Sequence, residues 1–101
     1  MPAQITKARP QEKTRTARPP LYKVILLNDD FTPRFFVVRV LKAVFRMSDD
    51  EAMGVMLTAH RKGSCVVAVF TREVAEEKCR RANDMGAAEG FPLTFTMEKE
   101  S

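Results

Sequence analysis

The spacing of apolar residues changes repeatedly between residues 21 and 97, and this change limits the possible fold more than any other feature of the chain. Three short runs, at 22–27, 65–70 and 93–97, have the length or the alternation of β-strands. The segments between them repeat apolar residues every three or four positions, which is typical of amphipathic helices. The predicted order is β-α-α-β-α-β. This order favours an α+β fold, in which a three-stranded antiparallel sheet has three helices packed on one face.

Capping residues predict where the first two helices begin and end. Thr32 and Pro33 are expected to start the first helix, as its N-cap and its first residue. Ser48 and Glu51 match a capping box, so a second helix should begin almost at once and end at Gly63. The residues predicted to form the core face of the first helix are Phe36, Val37, Val40, Leu41 and Val44.

The second half of the chain is predicted from similar signals. The run 65–70 reads as a buried strand, and Thr71 as the cap of a third helix that fades between Met85 and Gly90. Leu93, Phe95 and Met97 alternate with threonines, which indicates a half-buried final strand.

The net positive charge of the chain, +4, comes entirely from its first 20 residues. This segment has five basic side chains, one acidic side chain and four of the six prolines, whereas residues 21–101 hold 12 basic and 12 acidic side chains. A segment with so few large apolar residues cannot offset the entropy of ordering, so we expect 1–20 to be a disordered basic tail and 21–101 to be one folded domain. We expect no membrane span, a cytoplasmic protein with reduced thiols, and a monomer.

The residue types give little support for catalysis. Asn28, Asp29 and Asp30 follow a predicted strand, where they suit either a turn or a binding site. His60 is the only histidine, and near a helix end it suits a partner of the helix dipole. Cys65 and Cys79 are expected to be packing residues. We therefore expect no enzyme activity, no metal and no cofactor.

Four motifs in register over residues 19–99 resemble the ClpS family, the bacterial N-end rule adaptors of the Clp protease. Residues 22–33 (YKVILLNDDFTP) closely resemble the family signature, and 56–60 (MLTAH) is similar to its second motif. Residues 69–78 (VFTREVAEEK) resemble the third, and 92–99 the C-terminal strand.

The resemblance implies an adaptor that is not an enzyme. Family members bind proteins whose first residue is Leu, Phe, Tyr or Trp and deliver them to the ClpA unfoldase, which feeds the ClpP peptidase. The positions that match residues around the substrate's α-amino group and backbone are Asn28, Asp29, Asp30, Thr32 and His60. The positions that match the pocket for the first side chain are Val37, Met56, Ala59 and Leu93. Glu73 and Lys78 match positions that dock on the unfoldase's N-terminal domain.

Arg34 departs from the family pattern, because relatives usually have methionine at this position on the pocket rim. Arginine can lay its methylene stem on apolar surface, so the pocket can remain open. Its charge would narrow the entrance, repel an approaching ammonium group or pair with Asp30. The sequence therefore predicts narrower or weaker selectivity than in a relative with methionine.

Two other classes of function remain to be tested. The basic tail suits a nucleic-acid or ribosome-associated module, although the body lacks a basic surplus and we expect no nucleic-acid partner. Asp29, Asp30 and His60 would suit a metal-dependent hydrolase only if the purified protein held a metal ion.

Overall fold

The computed structural model describes residues 18–100. These residues form three strands and three helices in the predicted order. The elements are β1 (Leu21–Leu27), α1 (Arg34–Phe45), α2 (Asp49–Lys62), β2 (Ser64–Thr71), α3 (Arg72–Ala88) and β3 (Thr94–Lys99). The predicted tail, 1–20, lies mostly outside the described residues. None of the helices in the described part is long and apolar enough to cross a membrane.

The central strand of the sheet is β1, which pairs antiparallel with β2 on one side and with β3 on the other. Val24 and Leu26 of β1 are buried under the helices, and Leu26 lies opposite Phe95 of β3 and Cys65 of β2. The predicted α+β fold, with three helices on one face of the sheet, is confirmed.

The helices cover the sheet because each one has a buried apolar stripe. The five predicted residues of α1 are all buried in the core. Helix α2 begins with the predicted capping box, since Ser48 and Glu51 exchange side-chain and backbone hydrogen bonds. It ends at Gly63, which has a left-handed φ of 93° that glycine adopts without strain.

Two local predictions were wrong. Thr32 does not cap α1, because Pro33 occupies the N-cap position and the Thr32 hydroxyl bonds to Asp29 instead.

The second wrong prediction concerns β2, which is not a buried strand. It lies at an edge of the sheet, where its residues are partly or largely exposed, because covering helices bury only one face. Thr71 does occupy the N-cap of α3, but its side chain makes no capping bond within the described residues.

Candidate functional site

A cavity of about 340 Å³ lies where β1 ends, between the following turn, the start of α1 and the second half of α2. This volume is within the range of small-ligand pockets. Leu93, just before β3, also lines the cavity. The ten residues predicted to contact substrate all line it, namely Asn28, Asp29, Asp30, Thr32, Arg34, Val37, Met56, Ala59, His60 and Leu93.

One wall of the cavity is the turn after β1, and Asp29 holds it in shape. The carboxylate of Asp29 accepts hydrogen bonds from the backbone N–H groups of Phe31 and Thr32, at 2.8 and 2.7 Å. Its second oxygen accepts the Thr32 hydroxyl at 2.9 Å. Such local bonds from an aspartate to nearby backbone are typical of Asx turns. Asp29 therefore acts mainly as a structural residue of the turn.

Asn28 and Asp30 differ from Asp29 because their side chains are available to a ligand. Both residues are exposed, and neither side chain makes a hydrogen bond or ion pair to another residue within 18–100. The backbone N–H of Asn28 donates to the Gly63 carbonyl oxygen at 2.9 Å, which ties the end of β1 to the end of α2. The amide and carboxylate oxygens at this rim are acceptors suited to a cationic group.

The opposite rim brings together Arg34, the first residue of α1, and His60 of α2. The Arg34 Nη2 lies 3.1 Å from His60 Nε2. The sequence-based alternatives for Arg34 included a pair with Asp30. In the structure its hydrogen-bonding partner is His60.

The floor of the cavity is apolar and belongs to the protein core. Val37, Met56, Ala59 and Leu93 are all buried, with at most 8% of each residue exposed. Leu93 is placed by close packing against α3, since a Cβ atom built on Gly86 would lie 2.8 Å from the Leu93 Cβ. The cavity thus combines polar acceptors at its mouth with an apolar floor, which suits a small ligand with a cationic head and an apolar body.

Four cavity residues were missed in the sequence, and they are Leu26, Leu27, Phe31 and Pro33. Phe31 is 80% exposed although it is a large apolar residue. An aromatic residue within a polar turn is a signal that could have found it, because a turn does not need such a side chain. Leu26 and Leu27 looked like ordinary strand residues.

The two predicted docking residues lie outside the cavity, on α3. Glu73 is exposed in the first turn of the helix. Lys78 is half-buried, and its Nζ donates to the Val44 carbonyl oxygen at 3.0 Å and lies 5.9 Å from the centre of the Phe70 ring. Lys78 therefore has a structural contact between α3 and α1, whatever else it binds.

Chemistry beyond binding has little support. Within residues 18–100, no three His, Cys, Asp or Glu side chains are grouped so that they could hold a metal ion. Burial raises the pKa of the Cys79 thiol, and burial also raises the pKa of Cys65 although Lys62 acts in the opposite direction. Raised pKa values are the reverse of what an activated cysteine nucleophile needs.

Comparison with known proteins gives a consistent result. The family model described as "ATP-dependent Clp protease adaptor protein ClpS" matches residues 17–96. The chain is 61% identical over 100 residues to the ATP-dependent Clp protease adapter protein ClpS 2 of Mesorhizobium japonicum, with 99% of each chain covered. It is 59% identical to ClpS 1 of Bradyrhizobium diazoefficiens, with 95% of each covered.

A solved structure supports the same relationship. The structure of Agrobacterium tumefaciens ClpS2 bound to L-phenylalaninamide matches with a TM-score of 0.81 and 63% sequence identity. The match covers 82% of this chain and all of that one. The chain therefore belongs to the ClpS family, which makes it an adaptor protein of the Clp protease and not an enzyme.

Proposed function

We propose that this adaptor binds proteins that begin with Leu, Phe, Tyr or Trp and delivers them to a ClpA-type unfoldase for degradation by ClpP. The observation that carries the proposal is the cavity, which places free acceptors from Asn28 and Asp30 above an apolar floor. The related ClpS2 binds L-phenylalaninamide. That ligand has a free α-amine, an aromatic side chain and an amide in the place of the next peptide bond, so it resembles the first residue of a protein.

Binding of such a protein needs two weak interactions together, namely hydrogen bonds to its α-amino group and burial of its first side chain. A free N-terminus has a pKa of roughly 7.7–8.0, so it is largely a cationic donor at neutral pH. Each hydrogen bond to a charged group contributes about 1.5–3 kcal/mol. Burial of a Leu or Phe side chain contributes roughly 1.5–3 kcal/mol more. Because association itself has a cost in lost translational and rotational freedom, neither interaction alone is enough for stable binding.

This arithmetic predicts the selectivity of the site. An internal Leu has the side chain but lacks the amine, and an N-terminal Ala has the amine but lacks the side chain. Neither should bind well. A charged first side chain would have to leave its charge over an apolar floor, which is costly.

The test is a fluorescence-anisotropy titration with short peptides that begin with Leu, Phe, Tyr, Trp or Ala. Each peptide is measured with a free and with an acetylated N-terminus. We expect binding of the free peptides with large apolar first residues, and loss of that binding on acetylation. Equal binding of free and acetylated peptides would contradict the proposal. Binding of RNA or DNA that falls steeply with salt would favour the nucleic-acid alternative instead.

Delivery is a separate part of the proposal, and it involves Glu73, Lys78 and the basic tail. Glu73→Ala should leave peptide binding unchanged and slow the degradation of a Phe-initiated substrate by ClpA and ClpP. Asp84→Ala is the matched control, since it removes another exposed carboxylate from the same helix. Truncation to Leu21 should likewise spare peptide binding and reduce delivery, if the tail tethers the adaptor to the unfoldase.

A further inference from the structure

The contact between Arg34 and His60 joins two residues that line the cavity from different helices and lie 26 positions apart in sequence. The guanidinium group of arginine has only N–H donors and stays protonated. A hydrogen bond at 3.1 Å between Arg34 Nη2 and His60 Nε2 therefore requires Nε2 to accept. The proton of the neutral ring must then lie on Nδ1. In this arrangement His60 has no second lone pair to offer, because a neutral imidazole has one acceptor nitrogen.

Helix stability does not explain why the positively charged Arg34 lies at the start of α1. The N-terminus of a helix carries partial positive charge, which disfavours a basic side chain. The first turns of α2 and α3 contain acidic residues. In contrast, α1 begins with Arg34, and its first turn, which lies within the described residues 18–100, has no acidic residue. The side chain of Arg34 instead reaches His60 Nε2, a ring nitrogen that can accept a hydrogen bond.

We propose that Arg34 is an internal competitor of the substrate's α-amino group. In the free protein the guanidinium occupies the His60 Nε2 acceptor at the mouth of the cavity, and an incoming ammonium group must displace it. This inference rests on the proposed binding of a free α-amine. Displacement is favoured by repulsion between the two cations, and the released guanidinium can turn to water because Arg34 is exposed.

Competition at His60 has a measurable consequence for the affinity of every free-amine peptide. The cost of breaking the Arg34–His60 bond is the same for every ligand, whatever its first side chain. Arg34 should therefore weaken all free-amine peptides by a common factor. A peptide whose amine and side chain both bind well still binds measurably despite this loss of affinity. The binding of a poor ligand falls below detection.

The first experiment examines the free protein by nitrogen NMR of its histidine ring. The chain has one histidine, so its signals need no assignment by mutation. We expect the ring, observed in its neutral form, to carry its proton on Nδ1, with Nε2 accepting. In Arg34→Met the Nε2 signal should shift as the bond is lost. A ring with its proton on Nε2 in the unchanged protein would overturn the proposal, and this readout needs no peptide.

The second experiment is a double-mutant cycle with a peptide that begins with Phe. Arg34→Met should tighten binding about 2- to 10-fold, the range expected for loss of one competing hydrogen bond. In the background of His60→Ala, the same change should alter affinity by no more than about 2-fold, the effect of an exposed, screened charge, because Arg34 acts mainly through His60. An equal gain in both backgrounds would mean that Arg34 acts by charge or bulk, and would overturn the proposal. Circular dichroism checks that each variant is folded.

Arg61→Met provides the matched control for charge, since it removes a cation from the exposed residue next to His60. It should leave peptide affinity within about 2-fold, as expected for an exposed, screened charge.

Failure of the proposed function would give a different pattern of results. In that case the unchanged protein binds free and acetylated peptides equally, or binds neither, while the NMR result on the His60 ring still decides whether the bond exists.

Discussion

Thr32 is bonded twice to the carboxylate of Asp29, through its backbone N–H at 2.7 Å and through its hydroxyl at 2.9 Å. Thr32 is buried, with 8% of its surface exposed, so its two donors have little access to water. The pair fixes the turn that carries Asn28 and Asp30 to the mouth of the cavity. Two adjacent carboxylates therefore have different roles, and variants can separate them.

Asp29→Ala should lower stability, because it leaves a buried backbone N–H and a buried hydroxyl without partners. The expected loss is about 1–3 kcal/mol, the usual cost of an unsatisfied buried donor. Asp30→Ala removes an exposed carboxylate and should change stability by no more than about 0.5 kcal/mol. It should nevertheless weaken binding of free-amine peptides. Thermal unfolding and peptide titration measure the two effects, and a larger loss of stability from Asp30→Ala would refute this division of roles.

Gly86→Ala should destabilise the protein although alanine favours helices. The new Cβ would lie 2.8 Å from Leu93 Cβ, so the last turn of α3 or Leu93 must move. Overpacking costs about 1–3 kcal/mol, whereas alanine gains about 1 kcal/mol over glycine inside a helix.

Gly54→Ala is the matched control for this change. Gly54 lies within α2, and a Cβ there would meet nothing within 4 Å. The control should be stabilised by about 0.5–1 kcal/mol. Denaturant unfolding compares the two, and stabilisation by both changes would show that the space around Gly86 is larger than the structure indicates.

Ser48→Ala should cost about 1 kcal/mol, because the Ser48 hydroxyl accepts from the Glu51 N–H at the start of α2. For a domain of this size the melting temperature should fall by roughly 4–8 °C. Thr71→Ala alters the same position of α3, where the side chain makes no capping bond within the described residues, so its effect should be smaller. Equal losses from the two variants would contradict the stabilising role of the hydrogen bond of the Ser48 side chain.

The two cysteines should differ in their rates of alkylation by iodoacetamide in the folded protein at pH 8. Burial raises the pKa of both thiols, so at a given pH the reactive thiolate fraction is smaller than in a free cysteine. Cys65 is partly exposed and Cys79 is buried, so Cys65 should react first. Peptide mass mapping over time measures both rates. Faster modification of Cys79 would contradict its buried position on the core face of α3, and denaturant should make the two rates similar.

The order of the elements could be predicted from the sequence because local patterns determine it. The stripe from Phe36 to Val44 is a property of α1 alone, and the bonds between Ser48 and Glu51 are formed within four residues. The docking and cavity residues came from motif resemblance. The cavity residues do meet at one place, whereas Glu73 and Lys78 lie outside it on α3, and their docking role stays a prediction.

Local patterns failed where a residue had a choice of partners. Thr32 had the composition of an N-cap, but the carboxylate of Asp29 competes for its hydroxyl and Pro33 takes the cap position. The apolar run of β2 looked buried, but burial depends on what covers each face of the strand. In the folded sheet β2 is at an edge, and its outer face meets solvent.

Contacts within a few residues fix which segments become strands and helices and where α2 begins and ends, so these features can be predicted from the amino-acid sequence. Two other features follow only from the packed fold: Arg34 bonds to His60 rather than to Asp30, and Gly86 packs against Leu93 at the cavity floor. These contacts depend on how α1, α2 and α3 pack against one sheet. Packing of distant elements sets distances that no local pattern specifies, because it is the sum of many contacts across the whole core.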